Sequence, residues 1–254
     1  MKFINKIEEF DILSKSPDKI YYKGNLELLK KKKIAIIGSR KMSIYTRNCI
    51  FELAKLCKNA GICVVSGGAL GVDIAAANAA FPSTIAVFAN GLDEIYPKSN
   101  KKYIEVIYQE ALALSEHDGN YKPKPYDFLL RNRLIVALSE VVVIAQADIQ
   151  SGSMQSARLA LDMKKPVYVL PQRIKESEGT NLLLSQKQAN LLHDFSHFVS
   201  KFGELNKEPY DELLEFLKIE DNLEKILTKF GDKIYEYELE GLVEICGLKV
   251  RSRI

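Results

Sequence analysis

Residues 34–40 read IAIIGSR, four apolar residues in a row followed at once by a glycine, a serine and an arginine. An unbroken apolar run of this length is typical of a strand that is buried on both faces of a parallel sheet. Ser43 then opens a stretch with helical spacing that continues to about Asn59, and Gly61 is placed where a helix stop is expected. This stretch therefore predicts a strand, a glycine loop and a helix in direct succession.

The same succession returns along the chain. Short apolar runs alternate with helical segments up to about residue 195, and the predicted strands are 34–37, 62–65, 84–89, 112–114, 141–145 and 167–170. Strands that alternate with helices indicate parallel pairing with helices on both faces. We predict an α/β fold with a doubly wound, mostly parallel, Rossmann-like sheet over residues 31–200, and an N-terminal extension, residues 1–30, that packs on it.

The end of the chain has a different pattern. Residues 197–209 read HFVSKFGELNKEP, a polar stretch that is typical of a linker. Three helical stretches (211–219, 222–230 and 233–242) and a hairpin-like end around Cys246-Gly247 follow. Three helices and a hairpin in so short a segment predict a small winged-helix-like C-terminal domain over residues 208–254.

Composition excludes several classes of protein. The chain has 254 residues, of which 47% are hydrophobic and 27% charged, close to globular averages and unlike a disordered or fibrous protein. No apolar run approaches the roughly 18 residues that span a bilayer, and acids interrupt the N-terminus where a secretory signal is apolar. We expect a cytoplasmic protein without membrane contact. The four cysteines have no metal-ligand spacing, so we expect small buried hydrophobic side chains.

Charge is unevenly distributed. Residues 201–254 hold 9 Lys and Arg against 13 Asp and Glu, a net charge of −4, whereas the first 200 residues hold 27 against 20, a net charge of +7. A polyanion is therefore expected to bind the body of the chain and not its end.

Three glycine-bearing loops follow predicted strands, and each leads into a helix. Because parallel strands end at one edge of a sheet, the loops are expected to lie together, with backbone N–H groups and helix N-termini facing an anion. A glycine in such a loop is often only a tight turn, but three loops on one edge, one with an arginine, favour a row of phosphates. The candidate residues are Gly38, Ser39, Arg40, Ser66, Gly67, Gly68, Gly152 and Ser153.

The known signatures for other chemistry are missing from the sequence. It contains neither the G-x-x-x-x-G-K-[ST] pattern of nucleoside triphosphatases nor G-x-G-x-x-G after the first strand. Three scattered histidines give no metal-ligand set, and no spacing supports a nucleophile with its base. We therefore expect no metal, no cofactor and no catalytic residues.

A basic and aromatic segment, YKPKPYDF at residues 121–128, precedes a predicted helix that carries Arg131 and Arg133. Cations beside aromatic rings suit single-stranded nucleic acid, because cations bind phosphates and rings stack on bases. The candidates here are Lys122, Lys124, Phe128 and Arg131. The alternative is a surface loop whose Phe128 packs into the core. Arg131 and Arg133 point to different helix faces, so at most one is expected to reach a ligand and the other to pair with Asp73 or Glu116.

Five motifs in order resemble the DNA-processing protein A family of bacteria (DprA, also called Smf). They are IIGSR at 36–40, SGGALGVD at 66–73, GLDEIYP at 91–97, RNRLIVALS at 131–139 and SGSMQSARLA at 151–160. The end of the chain is similar to the family's small winged-helix domain. The chain departs from the family in its short N-terminal extension, in Ala75-Ala76-Ala77 where many members have a histidine, and in the lack of a glycine after Pro171.

The resemblance implies a function. Members bind single-stranded DNA that enters the cell during natural transformation, protect it and load the RecA recombinase onto it; they act as dimers and are not known as enzymes. On this chain the resemblance assigns phosphate binding to Arg40 and to a lysine at or near Lys124, and base stacking to Phe128. Spacing does not separate Lys122 from Lys124.

Two alternatives come from other classes. The sheet and its loops also resemble the lysine-decarboxylase-like phosphoribohydrolases, which cleave nucleoside monophosphates, but Ser151–Arg158 lacks their Pro-Gly-Gly and glutamate. A transcription-type regulator would read duplex DNA with the C-terminal domain. The net charge of −4 there disfavours phosphate binding and favours docking of a protein.

Overall fold

The computed structural model describes residues 2–205, 212–239 and 242–252. The chain divides into two compact units, Met1–Leu205 and Asn206–Ile254. Among the described residues, no helix is both long enough and apolar enough to span a bilayer.

The first unit is built on one large sheet. Its strands are β1 (Lys2–Ile4), β2 (Ile20–Gly24), β3 (Lys33–Ile37), β4 (Cys63–Ser66), β5 (Thr84–Phe88), β6 (Leu112–Ser115), β7 (Val141–Ile144), β8 (Val167–Val169) and β9 (Asn190–Leu191). Their spatial order is β1-β2-β6-β5-β4-β3-β7-β8-β9, and all pairs from β6 to β9 are parallel. From β3 the chain first adds strands on one side and then crosses to β7 on the other. The strand order therefore reverses between β3 and β7, where open α/β sheets bind ligands.

Helices cover both faces of this sheet. They are α1 (Ile44–Asn59), α2 (Val72–Ala80), α3 (Lys101–Glu110), α4 (Asp127–Leu138), α5 (Gly152–Asp162), α6 (Glu178–Ser185) and α7 (Phe195–Ser200). The buried side chains of α1 and α7 pack in one apolar cluster, and those of α3 to α6 pack in another. Ala35 and Ile37 of β3 face one cluster, Ile34 and Ile36 the other. The predicted doubly wound, mostly parallel, Rossmann-like sheet is confirmed.

The N-terminal extension contributes strands to the sheet. β2 pairs antiparallel with β6, and β1 pairs antiparallel with β2. Phe10, in the segment that connects β1 to β2, is buried. Its neighbour Glu9 forms an ion pair of 2.7 Å with the buried Lys33 of β3. The extension therefore covers one face of the sheet and also widens the sheet by two strands.

The predicted linker was wrong over its first part. Phe195–Ser200 is helix α7, in which Phe198 and Val199 are buried against α1 and the sheet. The ring of Phe198 lies 4.8 Å from that of Tyr168, centroid to centroid. The polar residues of this stretch concealed an apolar face at helical spacing. Its last part, including Pro209, lies outside the described residues.

The second unit has its own small core. It contains α8 (Glu212–Leu217), α9 (Leu223–Phe230), α10 (Lys233–Leu239) and an antiparallel pair, β10 (Val243–Cys246) and β11 (Lys249–Ser252). The buried core side chains are Leu213, Ile226, Ile234, Tyr237, Val243 and Val250. A small C-terminal domain with a two-stranded sheet follows the large sheet, as predicted. Its winged-helix character stays a prediction, and Asp211 and residues 240–241 lie outside the described residues.

Candidate nucleic-acid interface

A cleft of about 540 Å³ opens at the carboxyl ends of β3, β4 and β7, where the strand order reverses. Of the residues singled out in the sequence, those lining the cleft are Gly38, Ser39, Arg40, Phe128, Arg131, Gly152 and Ser153. Gly67 lines a smaller cavity of about 50 Å³ that shares Arg40, Ala69, Tyr96 and Phe128 with the cleft. The fold thus brings loops from three strands and the basic-aromatic segment to one site.

The first loop presents Arg40 to solvent. A Cβ on Gly38 would meet the side chain of Val72 at 2.7 Å, so glycine allows α2 to pack closely on this loop. The N–H of Ser39 donates to the carbonyl of Gln146 at 2.8 Å, and the hydroxyl of Ser39 accepts from the N–H of Lys41. With the loop backbone fixed in this way, the exposed guanidinium of Arg40 is held at the mouth of the cleft.

Arg40 is part of a cluster with two aromatic rings. Its guanidinium carbon lies 5.5 Å from the centroid of the Phe128 ring, within the range of a cation–π contact. The Tyr96 ring lies 5.6 Å from that of Phe128 and is 42% exposed. Phe128 itself is half-buried, neither a core side chain nor a free one. Tyr96 was missed as a site residue, although it lies in one of the five family motifs.

The second loop forms part of the floor of the site. The hydroxyl of Ser66 donates to the carbonyl of Asp73, and the N–H of Gly67 donates to the Asp73 carboxylate at 2.9 Å. Gly68 has a φ of +64°, and a Cβ there would meet the Phe88 ring at 2.7 Å. All three loop residues are buried, and Ser66 and Gly68 line neither the cleft nor the small cavity.

A buried pair of opposite charges lies beneath these loops. The Asp73 carboxylate accepts hydrogen bonds from the N–H groups of Gly67 and Gly38 and so joins the first two loops. Arg131 donates to the carbonyls of Gly67 and Val87. Burial raises the pKa of Asp73, and the neighbouring Arg131 opposes that rise; burial lowers the pKa of Arg131 to about 10, and Asp73 opposes that fall. Each charge therefore stabilises the other under the floor of the cleft.

This arrangement corrects one expectation. The backbone N–H groups of Gly38, Ser39 and Gly67 were expected to face an anion, but they donate to Asp73 and Gln146. The reason is that a buried carboxylate and a carbonyl satisfy these donors from within the protein. Arg131 lines the cleft but is only 6% exposed, so its direct contact with nucleic acid stays a prediction.

The third loop leads into α5. The hydroxyl of Ser151 accepts from the N–H of Met154 as the helix cap, and the next residues, Gly152 and Ser153, line the cleft. Here the expected geometry is present, because a helix begins at the wall of the site.

The basic-aromatic segment is held by Asp127. This buried carboxylate accepts from the hydroxyl of Tyr121 at 2.8 Å and from the N–H of Lys124 at 2.7 Å. Pro123 and Pro125 line the cleft, whereas the exposed Lys122 and Lys124 do not. Both lysines therefore lie beside the cleft, and the structure does not separate them.

One pairing from the sequence is confirmed. Arg133 forms an ion pair with Glu116 at 2.5 Å, and both side chains are partly buried. Arg133 is thereby turned away from the cleft, as the different helix faces of the two arginines predict.

Comparison with known proteins agrees with this architecture. A family model described as DNA recombination-mediator protein A matches residues 5–203, the part of the chain that forms the sheet unit. The chain belongs to this family. The match covers the three loops, the basic-aromatic segment and α5 of this family member.

Two of the curated relatives of this chain are named DNA processing protein DprA. The one from Streptococcus pneumoniae is 35% identical over 192 residues, which cover 74% of this chain and 67% of that protein. The one from Bacillus subtilis is 36% identical over 159 residues, 61% of this chain and 54% of that protein. The chain thus spans about half to two thirds of the length of these relatives.

Solved structures of the family are similar to the sheet unit. One reports a unique single-stranded DNA binding mode of DNA processing protein A from Helicobacter pylori. It is 46% identical and has a TM-score of 0.77, with 79% of this chain and 94% of that one covered. The DprA structure from Streptococcus pneumoniae is 33% identical with a TM-score of 0.73, over 78% of this chain and 71% of that one.

Proposed function

We propose that the protein binds single-stranded DNA in the cleft between β3 and β7. The observation that carries the proposal is the exposed guanidinium of Arg40 held over the Phe128 ring at the cleft mouth. A guanidinium binds a phosphate through charge-assisted hydrogen bonds, and a ring beside it offers a surface on which a base can stack. Tyr96, next to Phe128, extends that surface.

The aromatic rings favour a single strand over a duplex. In a duplex the faces of the bases are covered by their neighbours, whereas a single strand can unstack and place a base on Phe128 or Tyr96. Lys122 and Lys124 beside the cleft supply cations for further phosphates. The contacts are to phosphates and ring faces, so we infer that binding is largely independent of base sequence.

Relatives support this proposal and extend it. The Helicobacter pylori protein is reported to bind single-stranded DNA, and the chain is 46% identical to it. Together with the family resemblance of the motifs, this supports a role in natural transformation, in which the protein protects incoming DNA, loads the RecA recombinase onto it and acts as a homodimer.

We infer that the cleft binds DNA without catalysing a reaction. The acids that line it are Asp73 and Asp148 among the described residues. The Asp73 carboxylate accepts two backbone N–H groups, and these hold it as a structural acceptor. This favours DNA binding over the phosphoribohydrolase alternative. Incubation with nucleoside monophosphates, followed by chromatography for free base, separates the two.

Binding is tested with a labelled single strand and the matching duplex at two salt concentrations. Fluorescence anisotropy is expected to show tighter binding of the single strand, and Arg40→Ala is expected to remove most of it. Lys41→Ala is the matched control, because Lys41 is an exposed cation next to Arg40 that does not line the cleft. Equal affinity for both DNA forms would contradict the proposal.

The recombinase and dimer proposals need their own measurements. Sedimentation equilibrium gives the mass of the free protein against the 28.7 kDa of one chain. Assembly of RecA on a single strand, followed by light scattering with and without the protein, tests loading. A monomeric mass would contradict the homodimer. A rate of RecA assembly that the protein does not change would contradict loading.

A further inference from the structure

A group of exposed lysines lies beside the cleft, at the start of α3. Tyr96 lines the cleft, Pro97 lines the smaller cavity next to it, and the exposed Lys98 follows directly. Two residues of chain span at most about 7 Å, so the Cα atom of Lys98 lies within that distance of the Cα atom of Tyr96. The exposed residues that we refer to as the α3 cluster are Lys98, Lys101, Lys102 and Tyr103.

A hydrogen bond attaches the start of α3 to the floor of the site. Asn100, between the lysines, is only 5% exposed, and its side-chain amide donates to the carbonyl of Gly68 at 3.2 Å. Gly68 belongs to the second glycine loop, and its neighbour Gly67 lines the small cavity. The α3 cluster is therefore held at a fixed place beside the cleft.

The charges of the cluster are unfavourable for the helix itself. Aligned peptide dipoles place partial positive charge at the N-terminus of a helix, so acids stabilise this end and cations destabilise it. α3 begins with Lys101 and Lys102, and its first turn contains no acid. Lys98 precedes them in a short 3-10 helix, Lys98–Asn100. Helix stability does not account for three lysines here, whereas attraction of a polyanion does.

Two of these lysines have no counter-charge. Lys101 lies 3.7 Å from Glu105, with both side chains largely exposed. Lys98 and Lys102 form no ion pair with any residue that the structure describes. Both cations are therefore available to phosphates.

Exposed aromatic rings lie on either side of the lysines in the sequence. Tyr96 is 42% exposed and Tyr103 is 52% exposed. Cations between exposed rings suit a single strand, because the cations bind phosphates and the rings stack on bases. Arg40, Phe128 and Tyr96 form such a surface in the cleft, and the α3 cluster repeats the same chemistry beyond Tyr96.

A second cavity near the first loop is less suited to a strand. This cavity, of about 530 Å³, lies at the start of α1 and is lined by Tyr45, Arg173 and Glu176 among others. Arg173 is an ion-pair partner of Glu176 at 3.6 Å, so an acid faces the cation there. The unpaired lysines of the α3 cluster favour the other direction.

We propose that a single strand bound in the cleft continues over Tyr96 onto the α3 cluster. There Lys98 and Lys102 bind phosphates further along the strand, and Tyr103 stacks on a base. The inference rests on the proposed function, because it assigns a second part of the path of the same strand.

Oligothymidylates of increasing length, from about 4 to about 16 nucleotides, test this path by fluorescence anisotropy with the full chain. The double variant Lys98→Gln, Lys102→Gln is expected to lose affinity increasingly with strand length, up to about fivefold for the longest strands. For those strands, the dependence of log affinity on log salt should become shallower by about 1.4, twice the value for one phosphate.

The matched control is the double variant Lys32→Gln, Lys58→Gln, which removes the same charge. Lys32 directly precedes β3 and Lys58 lies in the last turn of α1, so both are at the amino-end edge of the sheet, away from the cleft. This control is expected to bind strands of all lengths as the unchanged protein does. The melting temperature of the Lys98→Gln, Lys102→Gln variant should not fall, because cations are removed from a helix N-terminus.

Tyr103→Ala is expected to weaken binding of the longest strands, whereas Tyr103→Phe, which keeps the ring, should not. Equal affinities of the two double variants at every length would overturn the path. A loss for long strands in Arg173→Gln, with none in Lys98→Gln, Lys102→Gln, would also overturn it, because the strand would then leave over α1.

Failure of the proposed function has a different signature. If strands of every length fail to bind, or bind without any effect of Arg40→Ala, the proposed function itself fails and the path with it. If short strands bind and depend on Arg40 while the two double variants remain equal, the proposed function stands and only the path over α3 is wrong.

Discussion

The guanidinium of Arg40, on the loop after β3, lies 5.5 Å from the ring of Phe128, at the start of α4. The two residues belong to segments distant in the sequence that meet because β3 ends and α4 begins at the same edge of the sheet. A cation and a ring at this separation attract each other weakly, by about 0.5–1 kcal/mol at an exposed site. A nucleotide that enters the cleft can use both groups at once.

Arg40→Ala is expected to weaken binding of a single strand by roughly 1.5–3 kcal/mol, about ten- to a hundredfold, because it removes charge-assisted bonds to phosphate. The melting temperature should stay within about 2 °C, since the side chain is exposed. Anisotropy titration and thermal melting measure both, with Lys41→Ala as the control. Unchanged affinity in a folded variant would exclude Arg40 from the interface.

Phe128→Ala separates a stacking ring from a core side chain. Stacking predicts a loss of roughly 1–3 kcal/mol in binding for each stacked base. If the ring were fully buried, its removal would lower the free energy of unfolding by about 3–5 kcal/mol. Since Phe128 is half-buried, the loss of stability should be well below that range. Tyr126→Ala is the control, because its ring is 57% exposed and lines neither cavity. A variant that melts far lower yet binds normally in the cold would show a core role.

The sequence predicts the core of the sheet well because its strands are short continuous apolar runs, which are typical of a sheet buried on both faces. β1 and β2 were harder to predict. Residues 2–4 and 20–24 are short, with exposed or half-exposed side chains such as Phe3 and Tyr21. The pairing of β2 with β6, onto which β1 adds, depends on contacts between segments distant in the chain, which no local pattern reveals.

The site was predictable in its chemistry but not in its bonding. The IIGSR motif identifies Arg40, the basic-aromatic segment identifies Phe128, and the fold places both in the cleft. The sequence does not show that Asp73 accepts the N–H groups of two loops, because that depends on how α2 packs against β3. Tyr96 was missed for a similar reason, since its position next to Phe128 appears only in three dimensions.

Thiol reactivity follows from burial. Cys57 and Cys63 are fully buried, and burial raises the pKa of each thiol to about 12, so neither forms a thiolate at pH 8. The expectation that all four cysteines are buried was wrong for Cys246, which is exposed, and for Cys49, which is only half-buried. Alkylation of the folded protein at pH 8, read by peptide mass spectrometry, should modify Cys246 first and spare Cys57 and Cys63 until urea is added. Early modification of Cys57 or Cys63 would contradict this.

Salt should weaken binding in proportion to the phosphates contacted. For a single strand, the logarithm of affinity falls with the logarithm of salt concentration by about 0.7 for each neutralised phosphate. If Arg40 binds one phosphate, Arg40→Ala should make the slope shallower by about that amount. Lys122→Ala and Lys124→Ala, measured separately, should show which of the two lysines contacts a phosphate. A slope near zero, or a strong preference for one base composition, would contradict phosphate-led binding.

Arg131→Ala tests whether this arginine supports the floor of the cleft or contacts DNA. Its guanidinium donates hydrogen bonds to the carbonyls of Gly67 and Val87 and lies near the buried Asp73. Removing a buried charge leaves its partner uncompensated, so the free energy of unfolding should fall by about 3–5 kcal/mol. Arg133→Ala, on the same helix, should cost about 1 kcal/mol, because the ion pair with Glu116 is partly exposed.

The chain has no tryptophan, so urea unfolding of these two variants is followed by far-ultraviolet circular dichroism. Binding must be measured under conditions where Arg131→Ala is folded, since distortion of the Gly67 loop weakens affinity even without direct contact. The ratio of the loss in unfolding free energy to the loss in binding free energy then decides the role of Arg131. If Arg131 supports the floor, Arg131→Ala lowers stability far more than affinity. If Arg131 binds a phosphate, Arg131→Ala lowers affinity as Arg40→Ala does. Normal stability with a tenfold loss of affinity would therefore assign Arg131 to the DNA contact.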